Sequence, residues 1–497
     1  MTNLKSPSTS RGQWTALGAL LLPVLLISVD NTVLSFAVPH ISEELRPTGG
    51  QLLWIVDIYS LMLAGLLVTM GTLGDRIGRR RLLLIGATGF GLASVLAAFA
   101  PSAELLIAAR ALLGVAGATL MPSTLSLIRN IFTDPRARTT AIAAWTATFA
   151  GGAAFGPLLG GLLLERFWWG SVFLINLPVM VLLLIVGPLV IPESRNPNPG
   201  RYDLPSAGLS LLAMLALVFG VKEFAGGGSL ALPAVAVALI AGYAFVRRQR
   251  RLDDPMLDLG LFAKPRFSVA VASNLLAVFV MVGGLFFMTQ YLQLVLGMSP
   301  LRAGLALLPG IGLSVVGSLV AVRLIRRVRL AELLGVAMFA TGLGYLLMVL
   351  LPSEGSAWLV VVAFMIVGVS AGITETATND TIMNTVAPEN AGAASAISET
   401  GYELGAALGT AVLGSVVTAA YRSHVDVTGL PESIVDTARD TLGGALAVAG
   451  ELPLEQAVAL RDSAAHAFTY GVHVTSVVGA VVLAFAAFQA WWVLSRR

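Results

Sequence analysis

With 497 residues, 56% of them hydrophobic and only 12% charged, and a mean hydropathy of +0.84, the chain is too apolar for an ordinary water-soluble enzyme. It contains no cysteine, which excludes disulfides, thiol catalysis and cysteine-ligated metal. The net charge of +3 does not ask for a nucleic-acid partner, because the basic residues lie in short connectors between apolar stretches.

A spanning helix needs about 20 predominantly apolar residues. Such stretches fall near 14–39, 52–72, 82–101, 104–128, 139–164, 170–191, 204–222, 230–246, 268–290, 303–322, 331–351, 357–383, 392–420 and 468–494. Fourteen spans place both termini on one side. Short cytoplasmic loops retain Lys and Arg. The connectors holding Arg76 to Arg81, Arg129 to Arg138, Arg247 to Arg266 and Arg323 to Arg329 therefore put both termini in the cytoplasm. Arg46, Arg166, Lys222 and Arg302 fall in the short outer loops of this scheme. The excess of arginine over lysine hints, through codon usage, at a bacterial source and hence a bacterial plasma membrane.

The first stretch is too long for a signal-peptide core and carries Asp30 in an uncharged surround. A carboxylate in hydrocarbon costs roughly 3 kcal/mol, so Asp30 marks a functional site able to bind a proton or a cation. The second stretch holds Asp57, near its outer end and suited to a cation-attracting vestibule. The connector after it runs Gly71, Thr72, Leu73, Gly74, Asp75, Arg76, Ile77, Gly78, Arg79. Its glycines permit close helix approach, and Asp75 can pair with a cation or cap a helix in one conformation and release it in another.

Arg110 is the one basic residue this reading places within a span, and an intramembrane arginine demands a partner or water. Asp30 is a candidate partner, either as a static ion pair or as a pair that loads and unloads a proton. In the fifth stretch Gly152, Gly156 and Gly160 recur every four residues, giving a close-packing face, and Gly156-Pro157 interrupts the helical hydrogen-bond ladder there, because proline has no N–H. Turn formers at 192–203 and a charged stretch at 247–267 separate six, two and six spans. The domains expected are 1–195, a six-helix bundle; 196–252, a linker with two additional spans; and 253–497, a second bundle. In the thirteenth span Glu399 and Glu403 share a helical face. Glu375 and Asp380 lie in the twelfth, with Asp380 near the cytoplasmic surface, where helix capping or loop pairing is at least as good an account as transport. Residues 421–467 form a long outer loop, with short amphipathic helices expected at 431–446 and 453–467, serving as a solvated cap or as a vestibule. Trp54, Tyr59, Trp145, Phe149, Phe286, Phe287, Met288, Gln290, Tyr291 and Tyr402 are candidates to line a pocket for organic cations.

The connector Gly71 to Arg81, the Arg110-to-Gly117 segment, the Gly152-to-Gly161 segment and the Asp30-to-Pro39 segment together resemble the major facilitator superfamily, and within it the fourteen-helix drug:proton antiporters. The resemblance implies an all-α membrane protein with a major facilitator fold of two six-helix bundles and two extra central helices. It implies multidrug efflux of lipophilic, mainly cationic drugs, dyes and quaternary ammonium compounds, driven by the proton gradient without a cofactor. Protons and organic cations are then the partners, within a lipid bilayer, and the protein is expected to be a monomer. Proton coupling and cation binding are carried over to Asp30, Glu399, Glu403, Arg110 and Asp57. Export of an endogenous lipid, siderophore or metabolite is the alternative. No loop of the ATP-binding type is present, and His40, His424, His466 and His473 show no metal-ligand spacing, so an enzyme is disfavoured.

Overall fold

The computed structural model describes residues 10–196, 203–252, 255–355, 357–386 and 391–495. The middle of the expected 192–203 linker and two residues of the 247–267 linker lie outside them. Seventeen α-helices are present among the described residues: α1 (Ser10–Leu45), α2 (Gly49–Ile77), α3 (Arg79–Ala98), α4 (Ala103–Ile131), α5 (Pro135–Arg166), α6 (Ser171–Leu174), α7 (Asn176–Val190), α8 (Leu204–Ala225), α9 (Ala231–Gln249), α10 (Pro265–Gln290), α11 (Pro300–Leu324), α12 (Leu330–Leu347), α13 (Trp358–Asn384), α14 (Ala391–His424), α15 (Glu432–Asp440), α16 (Leu442–Ala449) and α17 (Leu454–Ser495). Fourteen segments are long and apolar enough to cross a membrane, α6 and α7 making one of them. Helices suit that setting because every backbone polar group is satisfied inside the element.

Local sequence sets the helix starts. Thr48 and Gln51 make a reciprocal capping box at α2, and Ser102, Asp134 and Ser299 accept from the first-turn amides of α4, α5 and α11. Each such cap is worth about 1 kcal/mol. The last helix corrects one expectation. Residues 454–467 do not form a separate surface helix but are the first turns of the 42-residue α17, which leaves α15 and α16 as the short helices of the 421–467 segment among the described residues.

Helices α1 to α7 pack chiefly on one another, as do α10 to α17, and the two groups meet through α2 with α14 and α5 with α11. The remaining pair, α8 and α9, forms a hairpin whose first helix contacts both α2 and α14. Its base is closed by Arg248, whose Nη2 lies 2.9 Å from Asp203 Oδ1. Burial pushes the Asp203 carboxyl up, but hydrogen bonds from Arg248 and Ser206 outweigh it and hold the group below its ordinary value. The latch is therefore ionised at neutral pH.

Small residues allow the closest approaches. A Cβ on Gly409 of α14 would lie 2.1 Å from the Phe279 carbonyl oxygen of α10, which is backbone and cannot rotate away. We expect Gly409→Ala to destabilise the protein by about 1 to 3 kcal/mol through overpacking, read as a lowered melting temperature in detergent. An unchanged melt would show that the two helices separate at no cost.

Candidate functional site

The connector between α2 and α3 defines one face of the molecule, called here the basic face. Gly78 has φ 111°, a conformation that disfavours any side chain, and the Glu193 carboxylate fills the space where a Cβ would sit. Glu193 accepts from the Arg80 and Arg81 amides, capping α3, while Arg79 Nη2 pairs with Asp75 at 2.8 Å. The Arg79 amide donates to the Ser194 carbonyl and the Asn196 amide to the Asp75 carbonyl. The motif thus fastens the end of the first helix group. Asp75 takes the cationic partner, and the capping role falls to Glu193, a residue that the sequence reading did not single out. Arg76 occupies the last turn of α2, and Gly71 lies against Pro122 of α4.

At the opposite face the two helix groups are joined. Arg46 pairs with Glu451 at 2.7 Å, Ser299 donates to Glu165, and Gly161 of α5 abuts the backbone of Leu301 in α11. On the basic face they part around a cavity of about 320 Å³, lined by Gly71, Asp75, Arg129, Trp145, Asp258 and Glu399 among others. A second cavity, of about 200 Å³, lies between the groups and is lined by Asn31, Asp57, Ser60, Arg110, Phe149, Pro157, Glu375 and Tyr402 among others. Trp145 stacks on Phe149 at 6.2 Å, and Phe149 meets Tyr402 edge-on at 6.1 Å. These three rings run from one cavity to the other.

Arg110 is 2% exposed and places Nη1 2.5 Å from Oδ2 of Asp30, itself 1% exposed. The arginine also donates to the Ile55 carbonyl and lies 4.6 Å from the Tyr59 ring centroid. Asp30 Oδ1 has no hydrogen-bond partner among the described residues. The glycine stripe positions this pair: Cβ atoms on Gly152, Gly156 and Gly160 of α5 would collide with Ser28, Thr32 and Val33 of α1, so the two helices are in backbone contact around Asp30. The Ser28 hydroxyl adds a hydrogen bond to the Phe149 carbonyl.

Three glutamates, Glu375 of α13 and Glu399 and Glu403 of α14, are near one another. None forms an ion pair among the described residues. The side chains of Ser60 and Asn31 lie beside Glu403, whose Oε2 is buried without a hydrogen-bond partner among the described residues. Glu375 lines the central cavity, whereas Asp380 is exposed.

Two expectations need correction. Lys222 is not in an outer loop: it lies within α8, 8% exposed, and its Nζ is 2.8 Å from Asp57 Oδ2 and 3.6 Å from the Trp54 ring centroid. Arg110 is therefore not the sole basic residue in a span, and Asp57 is a buried, paired group rather than an open vestibule residue. Of the remaining aromatic candidates, Tyr59 is enclosed beneath Arg110, and Phe287 packs edge-on against Tyr345. Phe286 and Gln290 line a small separate recess beside Tyr421 and Asp440.

A bundle of fourteen spans, parted on one face around a cavity lined by acids and joined on the other, is the arrangement of a membrane transporter, not an enzyme. The sequence pattern of the Major Facilitator Superfamily matches residues 20–410, and the chain belongs to that family. It is 50% identical over 488 residues to the multidrug efflux pump LfrA of Mycolicibacterium smegmatis, with 97% of each chain covered. It is 35% identical to the methyl viologen resistance protein SmvA of Salmonella typhimurium, over 97% of this chain and 99% of the other. Among solved structures, a bacterial homologue of the human lysosomal transporter Spinster, inward-facing and occupied, superposes with a TM-score of 0.71 at 18% identity, covering 98% of each chain.

Proposed function

We propose that this protein is a proton-coupled multidrug exporter of lipophilic, mainly cationic compounds in the bacterial plasma membrane. The observation that carries the reading is a set of three glutamates with no ion pair among the described residues: Glu403 is buried, Glu375 lines the cavity walled by Phe149 and Tyr402, and Glu399 lines the cavity on the basic face. Glu375 and Glu399 face the cavities, and an acid held away from water, as Glu403 is, needs a counter-charge. A proton or an organic cation supplies it, and the two exclude each other. Aromatic faces add attraction for the cation. The names of LfrA and SmvA, an efflux pump and a methyl viologen resistance protein, support the direction and the class of cargo.

The basic face is cytoplasmic in this proposal, both termini lie inside, and the cavity opening there makes this an inward-open state. The two helix groups are the halves that rock about a midplane site. Asp30 and Arg110 form the proton-responsive pair of the first half, and the glutamates take the cargo in the second.

The test uses purified protein in proteoliposomes with an acidic lumen. Tetraphenylphosphonium or ethidium should accumulate inside as protons leave, and nigericin, by collapsing the gradient, should abolish the accumulation. Accumulation that persists after nigericin would remove proton coupling. Failure to move any organic cation would remove the substrate class.

A further inference from the structure

Helices α8 and α9, and the buried pair of Asp57 and Lys222, take no part in the exchange of proton for cargo at the glutamates. Asp57 sits eight residues into α2, about 12 Å along its axis, and lines the central cavity. Trp54 stands one turn earlier on the same helix. A carboxylate beside an indole face is the donor set that binds an organic cation. Here that set already holds one: Lys222 reaches it from α8, with Nζ 2.8 Å from the carboxylate and 3.6 Å from the ring centroid.

The reach of Lys222 is not incidental to packing. Leu61 of α2, Val218 of α8, and Ala407 and Ala411 of α14 make one buried cluster with Trp54 beside it. The helix carrying Lys222 therefore rests at once on the helix bearing Asp57 and on the helix bearing Glu399 and Glu403. Relative movement of α2 and α14 must be taken up along α8, and Lys222 is the charged tie between α8 and α2.

We propose that Asp57 and Trp54 form a second cation subsite and that Lys222 is a tethered ammonium occupying it in competition with cargo. The chemical class it admits is a lipophilic dication, one charge held by the glutamates and the other by Asp57 once Lys222 has been displaced. This deepens the Proposed function and rests on it. The accessory hairpin then sets how readily a second positive charge is accepted.

The experiment measures binding of a monocation, tetraphenylphosphonium, and a bis-quaternary dication, dequalinium, to the full chain in lipid nanodiscs by equilibrium dialysis. Lys222→Met should raise the ratio of dication to monocation affinity about tenfold, the effect of roughly one added charge contact. Asp57→Asn combined with Lys222→Met should cancel that gain. Lys222→Arg keeps the charge and gains a forked contact with Asp57, so it should lower the ratio below that of the wild type. It keeps the test decisive if Lys222→Met melts early. An unchanged ratio in both single variants, or a gain that survives Asp57→Asn, would overturn the subsite. If the wild type binds tetraphenylphosphonium and the ratio does not respond, only this inference fails. If it binds neither probe, the Proposed function fails and takes the subsite with it.

Discussion

Asp30→Asn should abolish gradient-driven accumulation of tetraphenylphosphonium in proteoliposomes and also lower the melting temperature. The second effect is electrostatic. Arg110 loses the carboxylate 2.5 Å from its guanidinium while remaining buried, and stranding one member of a buried ion pair costs about 3 to 5 kcal/mol. Lost transport alone would therefore not distinguish a coupling group from a damaged scaffold. The double variant Asp30→Asn with Arg110→Gln separates them. It removes both charges and leaves two amides able to bond to each other, and neutral replacement of a buried pair is commonly tolerated. The double variant should regain most of the lost melting temperature and none of the accumulation. Wild-type accumulation in the double variant would reduce the pair to a structural strut. The geometry favours a working role, because Oδ2 faces the arginine while Oδ1 has no partner among the described residues. That free oxygen is where a proton can be received.

The extent to which such pairs are legible in the sequence depends on what surrounds them. Asp30 and Arg110 announce themselves because each is the lone charge in a long apolar run, and a charge in hydrocarbon has few bland explanations. The glycines of α5 are legible for a similar reason, since a four-residue spacing of small residues has one structural use on a helix. Lys222 was not legible. It precedes Glu223 and the turn around Gly226 to Gly228, so its local sequence is that of a loop entrance. Its burial arises only because α8 is wedged between α2 and α14, a relation between segments some 150 residues apart or more that no local pattern encodes. Glu375 is a parallel case. A glutamate inside an apolar helix can face lipid, a neighbour or a cavity, and the neighbours that decide the matter come from α14. The boundary of α17 shows the same limit, because residues 454–467, which carry Glu455, Arg461 and Asp462, run into an apolar helix without a stop signal between them.

The three glutamates carry the other large expected effect. Glu399→Gln combined with Glu403→Gln should weaken tetraphenylphosphonium binding by roughly 10- to 100-fold, the equivalent of about 1.5 to 3 kcal/mol for loss of charged contacts. It should also remove the proton release that accompanies binding, measured from the dependence of binding heat on the ionisation enthalpy of the buffer. Glutamine preserves size and hydrogen bonding but cannot exchange a proton for a cation, so affinity and proton release should fall together. Glu375→Gln offers the internal comparison. Glu375 faces the central cavity while Glu399 faces the cavity on the basic face, so the Glu375 variant should bind cargo weakly yet retain the protons released at the Glu399 and Glu403 pair. If the double variant instead binds the cation and releases protons like the wild type, the exchange of charge does not occur at α14. The aromatic bridge of Trp145, Phe149 and Tyr402 would then line a passage whose coupling lies entirely with Asp30 and Asp57.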